Sequence, residues 1–302
     1  MSGRSKMTNK LILNYLGDAV IYSSDLALVD CPTAWLNSDL IHFHFLRLQL
    51  EPHLVIGSDA KKSEEDASLN GCGEHPQIDC LFLDPAIISF TMHQIDVSDQ
   101  DEVSNLISAW NLSPPDDAKQ HIKRIFVPIN DEHKSSHMSY TPGGGAGGSH
   151  WSLLVVDIIT TTTTTPNYDE TKQGMHFYSF DSHEGYNISA AKAVAHKLHT
   201  VLQQQYSSMG RTASVNVIEF HQAMQQTNGY DCGVYTLGFA EALLRLSNDR
   251  SDSGLLDEKA IETAFSSYVN DMGGQIHFAS NLRKRIGDDI RKLALDYQQS
   301  FK

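Results

Sequence analysis

The sequence predicts an α+β fold in which helices flank a central sheet. Three observations carry this. Short apolar runs bounded by turn-forming residues recur at Ile125–Ile129, His150–Asp157, His176–Ser182 and Val215–Phe220, with the length and composition of strands. Helical periodicity governs Leu40–Leu48 and residues 188–206, and Val234–Leu244 is apolar on nearly every side, as befits a helix buried in a core. No break in composition separates two cores, so the 302 residues read as one domain, 1–302, long enough to bury a substantial interior.

Taken in order, residues 11–30 read as a short extended opening. The helix Leu40–Leu48 follows, with Asn37 or Ser38 as its cap and Trp35 just ahead of it, at home either in the core or on a rim. Residues 57–77 are charged and contain glycine, so they read as a flexible surface loop. An apolar stretch from Ile78 is broken by Pro85 before a short helix, and Asp101–Trp110 forms another, closed by Ser113-Pro114-Pro115. After the strand Ile125–Ile129 comes a polar, Gly-rich segment, 134–148, expected to be flexible. His150–Asp157 is apolar on both alternating faces, hence a central strand. The threonine run within 159–174 is a low-complexity insertion, also expected to be flexible. It leads back through the strand His176–Ser182. Residues from Lys259 onward are helical, and Arg283-Lys284-Arg285 reads as a solvated helix face.

Composition narrows the function. A net charge of −14 argues against nucleic acid, whose binders neutralise phosphates, and no apolar run is long enough to span a membrane. Four cysteines without framework spacing, and an N-terminus without an apolar signal region, predict cytoplasm and/or nucleus. Cys72, His75 and Cys80 lack a fourth ligand at a suitable spacing, so neither a metal nor a cofactor is expected.

The chemistry gathers at Gln226-Thr-Asn-Gly-Tyr-Asp-Cys232-Gly233. Asn228-Gly229 is a strong turn dipeptide and Asp231 a good N-cap residue, which places Cys232 at the start of the apolar helix. There the unpaired N–H groups and the positive end of the macrodipole favour an anion such as a thiolate. Gln226 lies across the tight turn, where its amide can fold back as an oxyanion-hole donor. A cysteine that opens an apolar helix is often only an inert buried thiol, so a nucleophile needs a base and an orienting group from elsewhere. His150 begins the central strand and Asp181 ends its antiparallel neighbour, which brings both to one edge of the sheet. Asp157 also ends a strand, at the far end from His150. In this arrangement Cys232 attacks, His150 moves the proton and Asp181 holds the imidazole tautomer.

Gly148-Ser-His150-Trp151-Ser-Leu-Leu-Val155, Phe177-Tyr-Ser-Phe-Asp181-Ser-His183 and Gln226–Gly233 resemble three blocks of the Ulp/sentrin-specific (SENP) cysteine protease family, in that family's order. Trp35-Leu36-Asn37 resembles its N-terminal block. Phe126–Asp131 and Gly147–Trp151 are most similar to its deneddylase, Nedd8-specific branch. The resemblance runs from about Leu11 to Leu246. It implies a papain-like or adenain-like fold with a central mixed sheet. It also implies a thiol peptidase that cuts after the Gly-Gly tail of a ubiquitin-like modifier, Nedd8 first, in precursor processing and release from conjugates. A SUMO-specific protease and an inactive modifier-binding scaffold are the alternatives. By the same resemblance Trp35 and Trp151 flank a channel that admits only glycine. Ser38 stands where the family block has aspartate and Asp39 follows; by the resemblance Asp39 is expected as a modifier contact, although it lies about 100° further round the helix than the family residue.

Overall fold

The computed structural model describes residues 9–52, 77–110, 121–134, 150–160, 174–206, 215–221, 223–248 and 256–300. The expected flexible segments 57–77, 134–148 and 159–174 lie outside these except at their ends. At 77, 159–160 and 174 the strands run further than the sequence suggested, and Lys134 closes a short 3-10 helix.

A hairpin of β1 (Leu11–Tyr15) and β2 (Ala19–Tyr22) opens the chain. Helix α1 (Ser23–Asp30) follows directly, where an extended segment was expected. The short run Leu26–Val29 fits either state by pattern. What decides it is Asp25, whose carboxylate accepts the Tyr22 N–H at 2.7 Å and closes the first turn. Helix α2 (Ser38–Leu50) starts as expected, with Asn37 Oδ1 accepting the Leu40 N–H. Then come β3 (Gln77–Phe82), α3 (Pro85–His93) and α4 (Gln100–Ala109).

The sheet continues with β4 (His121–Asn130), β5 (Trp151–Thr160), β6 (Gly174–Phe180) and, after α5 (Ile188–Gln205), β7 (Val217–Glu219). Helices α6 (Cys232–Asn248), α7 (Glu258–Asp271) and α8 (Phe278–Gln299) complete the described chain. Strand order is β3-β4-β5-β6-β7, with β5 in the middle. The β4/β5 and β5/β6 pairs are antiparallel and the outer two parallel, so the sheet is mixed.

Alternation along the inner strands sorts side chains into two cores. Phe126, Leu153, Val155, Tyr178 and Phe180 face one core, shared with α2, α6 and α8. Ile125, Val127, Leu154, Val156 and Phe177 face the other, under α4 and α5. Both faces are covered, which is why β5 reads apolar at consecutive positions. Helix α6 lies inside the first core, with every residue from Cys232 to Leu244 buried.

Close approach explains one of its glycines. A Cβ on Gly238 would meet the Phe278 ring at 2.4 Å, and that ring is itself held by Tyr235 and Tyr268. Gly238→Ala is expected to cost about 1–3 kcal/mol through overpacking, measured as a lower urea midpoint. An unchanged midpoint would mean that α6 and α8 are not packed this tightly.

Candidate active site

His150 sits one residue before β5 and Asp181 one residue after β6, and the antiparallel register pairs Leu153 with Phe180. The two side chains therefore meet, with His150 Nε2 2.6 Å from Asp181 Oδ1. Both are buried, at 5% and 4% exposure. The carboxylate also accepts the His183 N–H at Oδ1 (3.0 Å) and the Asn187 N–H at Oδ2 (2.9 Å). Gly185, at φ +71°, lets the chain wrap around it. The backbone of His150 is held as well. Its N–H donates to Asp131 Oδ1 at 3.2 Å, and its carbonyl accepts from the Asp131 N–H (3.3 Å) and Asn187 Nδ2 (3.1 Å).

Cys232 is the first residue of α6 and 1% exposed. Burial opposes charge on the imidazole of His150, but hydrogen bonds with Asp181 and with the Cys232 thiol outweigh it and raise its pKa to about 9. Nε2 is engaged by the carboxylate, so Nδ1 is the nitrogen left to serve the thiol. The three residues that the sequence pointed to thus form one line, Cys232–His150–Asp181. Asp157, the rival carboxylate, is committed elsewhere: Arg124 Nε and Nη2 each hold one of its oxygens at 2.7 Å inside the core.

Gln226 is anchored beside Asp181. Its backbone N–H donates to the Ser182 carbonyl (2.9 Å), its Oε1 accepts from Ser182 Oγ (2.7 Å), and its Nε2 donates to the Asn228 carbonyl (2.5 Å). One hydrogen of the amide nitrogen remains beyond that bond. Asp231 holds the cap position of α6, its carbonyl accepting the Tyr235 N–H at 3.0 Å, while its carboxylate accepts from Asn228 Nδ2 (2.8 Å) and the Arg283 guanidinium (2.9 Å) rather than from the helix. Among the described residues no side chain accepts from the first-turn N–H groups of α6, which leaves that helix end to an anion at the sulfur.

Trp151 is buried, and its Nε1 donates to the Leu36 carbonyl at 3.1 Å, while Trp35 is 47% exposed. Gly233, the second residue of α6, lets the helix come close to this contact: a Cβ there would lie 3.1 Å from Leu36 Cβ and 3.5 Å from Trp151 Cδ1. Asp39 is exposed on the first turn of α2. Its pKa is raised by partial burial and by the nearby carboxylates of Asp25 and Asp84.

Several site residues escaped the sequence reading. The rings of Tyr186 and His183 stand 4.8 Å and 6.0 Å from that of His150 and wall off its outer side. Asn187 holds the cap position of α5 without a side-chain cap bond, and its amide donates to the His150 carbonyl instead. Asp131 stood in the sequence only as the last residue of the Phe126–Asp131 block, with no role attached. Asp131→Ala is expected to leave the His150 N–H without an acceptor and to cost about 1–3 kcal/mol, read as a lower urea midpoint. Wild-type stability in this variant would show that the clamp contributes nothing.

The Ulp1 protease family, C-terminal catalytic domain, matches residues 100–272, more than half of the chain and a span that contains His150, Asp181 and Cys232. Sentrin-specific protease 8 of Mus musculus is 27% identical over 233 residues, covering 77% of this chain and 77% of that protein. The Homo sapiens protein of the same name is 28% identical over 233 residues, covering 77% of this chain and 81% of its own. Two solved structures are also similar. One is a de-sumoylating protease (15% identity, 93% of this chain and 89% of that chain, TM-score 0.49). The other is the C-terminal Ulp1 protease domain in complex with Smt3, the yeast orthologue of SUMO (15% identity, 96% and 91%, TM-score 0.47). The mixed sheet between helical layers is the α+β cysteine protease architecture that the sequence resemblance implied. The chain belongs to the Ulp1 protease family.

Proposed function

We propose that this chain is a thiol peptidase that cuts after the C-terminal Gly-Gly of a ubiquitin-like modifier, with Nedd8 as the modifier. The observation that carries the reading is the buried line Cys232–His150–Asp181 at the start of a helix. Cys232, its proton passed to His150, attacks the carbonyl of the terminal glycine. Its sulfur bonds to that carbon while the carbonyl electrons move onto oxygen. The oxyanion lies toward the α6 N-terminus and the second hydrogen of the Gln226 amide. Collapse breaks the C–N bond, and His150 gives its proton to the departing amine. Water, deprotonated by the same imidazole, then hydrolyses the thioester and frees the sulfur. Asp181 holds the ring throughout.

Trp35 and Trp151 supply the selectivity. The tail passes beside the Leu36–Trp151 contact, where a slot between indoles excludes residues with a Cβ. Asp39, whose acidic neighbours leave it in need of a cation, meets a basic side chain on the modifier. The choice of Nedd8 is supported by the resemblance of Phe126–Asp131 and Gly147–Trp151 to the deneddylase branch, and by the two protease 8 relatives. The free thiols of Cys31, Cys80 and Cys232 fit a reducing compartment, cytoplasm or nucleus.

Incubation with Nedd8, SUMO and ubiquitin carrying C-terminal electrophiles tests this reading. An adduct with Nedd8 at Cys232 is expected. An adduct with SUMO alone would overturn the choice of modifier, and the absence of any adduct would favour a binding scaffold. Cys232→Ala is expected to abolish cleavage of a Nedd8 precursor while retaining binding, and residual full activity would refute the mechanism. Gln226→Ala is expected to lower kcat by roughly 10²-fold, and an unchanged kcat would remove Gln226 from the oxyanion site.

A further inference from the structure

Arg283 belongs to the last helix, far along the chain from the active-site residues, yet only 4% of it is exposed. The sequence suggested a solvated face for Arg283-Lys284-Arg285. In the structure only Lys284 points to water, and Arg285 pairs with the buried Glu241. The Arg283 guanidinium reaches three separate segments. Nε donates to Asp231 Oδ1 at 2.9 Å, Nη2 donates to the Ala34 carbonyl at 2.6 Å, and Nη1 donates to the Leu28 carbonyl at 3.2 Å. A longer contact of 3.4 Å joins Nη2 to the Tyr230 carbonyl.

Two of these acceptors flank the chemistry. Asp231 immediately precedes Cys232, and Ala34 immediately precedes Trp35. On the other side of Trp35, the Leu36 carbonyl is held by Trp151 Nε1. Trp35 is therefore carried between two pinned carbonyls, one fixed by Arg283 and one by the opposite wall of the slot. Trp35 itself is about half exposed, at 47%, and its ring makes no aromatic pair among the described residues. Position comes from the backbone, and one half of that hold is the guanidinium. Only a planar fork serves an Asp carboxylate and two carbonyls at once, and a lysine ammonium cannot span them.

We infer that Arg283 is a positioning residue that fixes the Trp35 arm relative to the Cys232 turn and so sets how strictly the slot excludes residues larger than glycine. This deepens the reading of the site proposed above and rests on it. Loss of the fork lets the Ala34 side of the arm drift outward while Leu36 stays attached, which widens the slot without removing either indole.

The test compares kcat/KM for two precursor substrates, one with the Gly-Gly tail and one with alanine in place of the last glycine. Wild-type protein, Arg283→Lys and Arg283→Gln are assayed, with urea midpoints to confirm folding. The glycine-over-alanine preference is expected to fall by roughly 10-fold in the variants, the scale of discrimination that a methyl group carries in a fitted pocket. In Trp35→Ala the preference is expected to be lost already, and adding Arg283→Lys to lower it no further. Variants that fold and lose activity on both tails equally, with the ratio intact, would reduce Arg283 to a structural brace and overturn the inference. A wild-type protein that cleaves Gly-Gly tails without preferring glycine would overturn it together with the slot. A wild-type protein that cleaves neither substrate would instead fail the proposed function itself.

Discussion

A single hydrogen bond, kept from water, organises the site: His150 Nε2 to Asp181 Oδ1. In bulk water such a pair contributes little, but in a buried setting the same contact is strong and an unpaired partner is costly. The surroundings follow from that constraint. The β5/β6 register brings the two residues together, the turn through Gly185 wraps two backbone N–H groups onto the carboxylate, and Asp131 and Asn187 fasten the histidine backbone. A ring pKa lifted to about 9 means that the imidazolium persists through neutral pH. The stability linked to it is fully present below the ordinary value of 6.5 and is lost as pH rises through about 9.

Elsewhere the core meets the same problem with the same remedy. Glu241 lies on α6 among apolar side chains. Burial alone would raise its carboxyl, yet hydrogen bonds from His44 and Tyr268 and the charge of Arg285 bring it down to about 2. Arg124 and Asp157 close a bidentate pair between β4 and β5. Helix α8 supplies both arginines that brace α6, Arg283 just ahead of its first residue and Arg285 midway along it. The nucleophile is thus mounted on a helix fixed at two points by buried charge, which suits a sulfur that must meet an imidazole within a few tenths of an ångström.

How much of this was legible in the sequence depended on whether the signal was local. The strands around His150 and Asp181 carry a period, and the Cys232 turn carries Asn-Gly and an apolar helix behind it, so their positions followed from pattern. Leu26–Val29 failed because four apolar residues fit strand or helix alike, and the deciding contact is the Asp25 carboxylate on the Tyr22 N–H. Asp231 takes the cap position that its neighbours suggested, but the partner of its carboxylate, Arg283, is more than fifty residues away and left no local sign. The basic run 283–285 was misread for the same reason. A charge is read as solvated unless its counterion is known, and no periodicity in α8 reveals a carboxylate on another element. Tyr186 and Asn187 likewise act through tertiary placement rather than through any motif of their own.

Asp181 overrides burial to keep the imidazole charged. NMR titration of the His150 ring in the intact protein tests it most directly. A midpoint near 9 is expected in the wild type, with a clear downward shift in Asp181→Asn, where burial prevails. A wild-type midpoint at the ordinary 6.5, or one that Asp181→Asn leaves unmoved, would contradict the account.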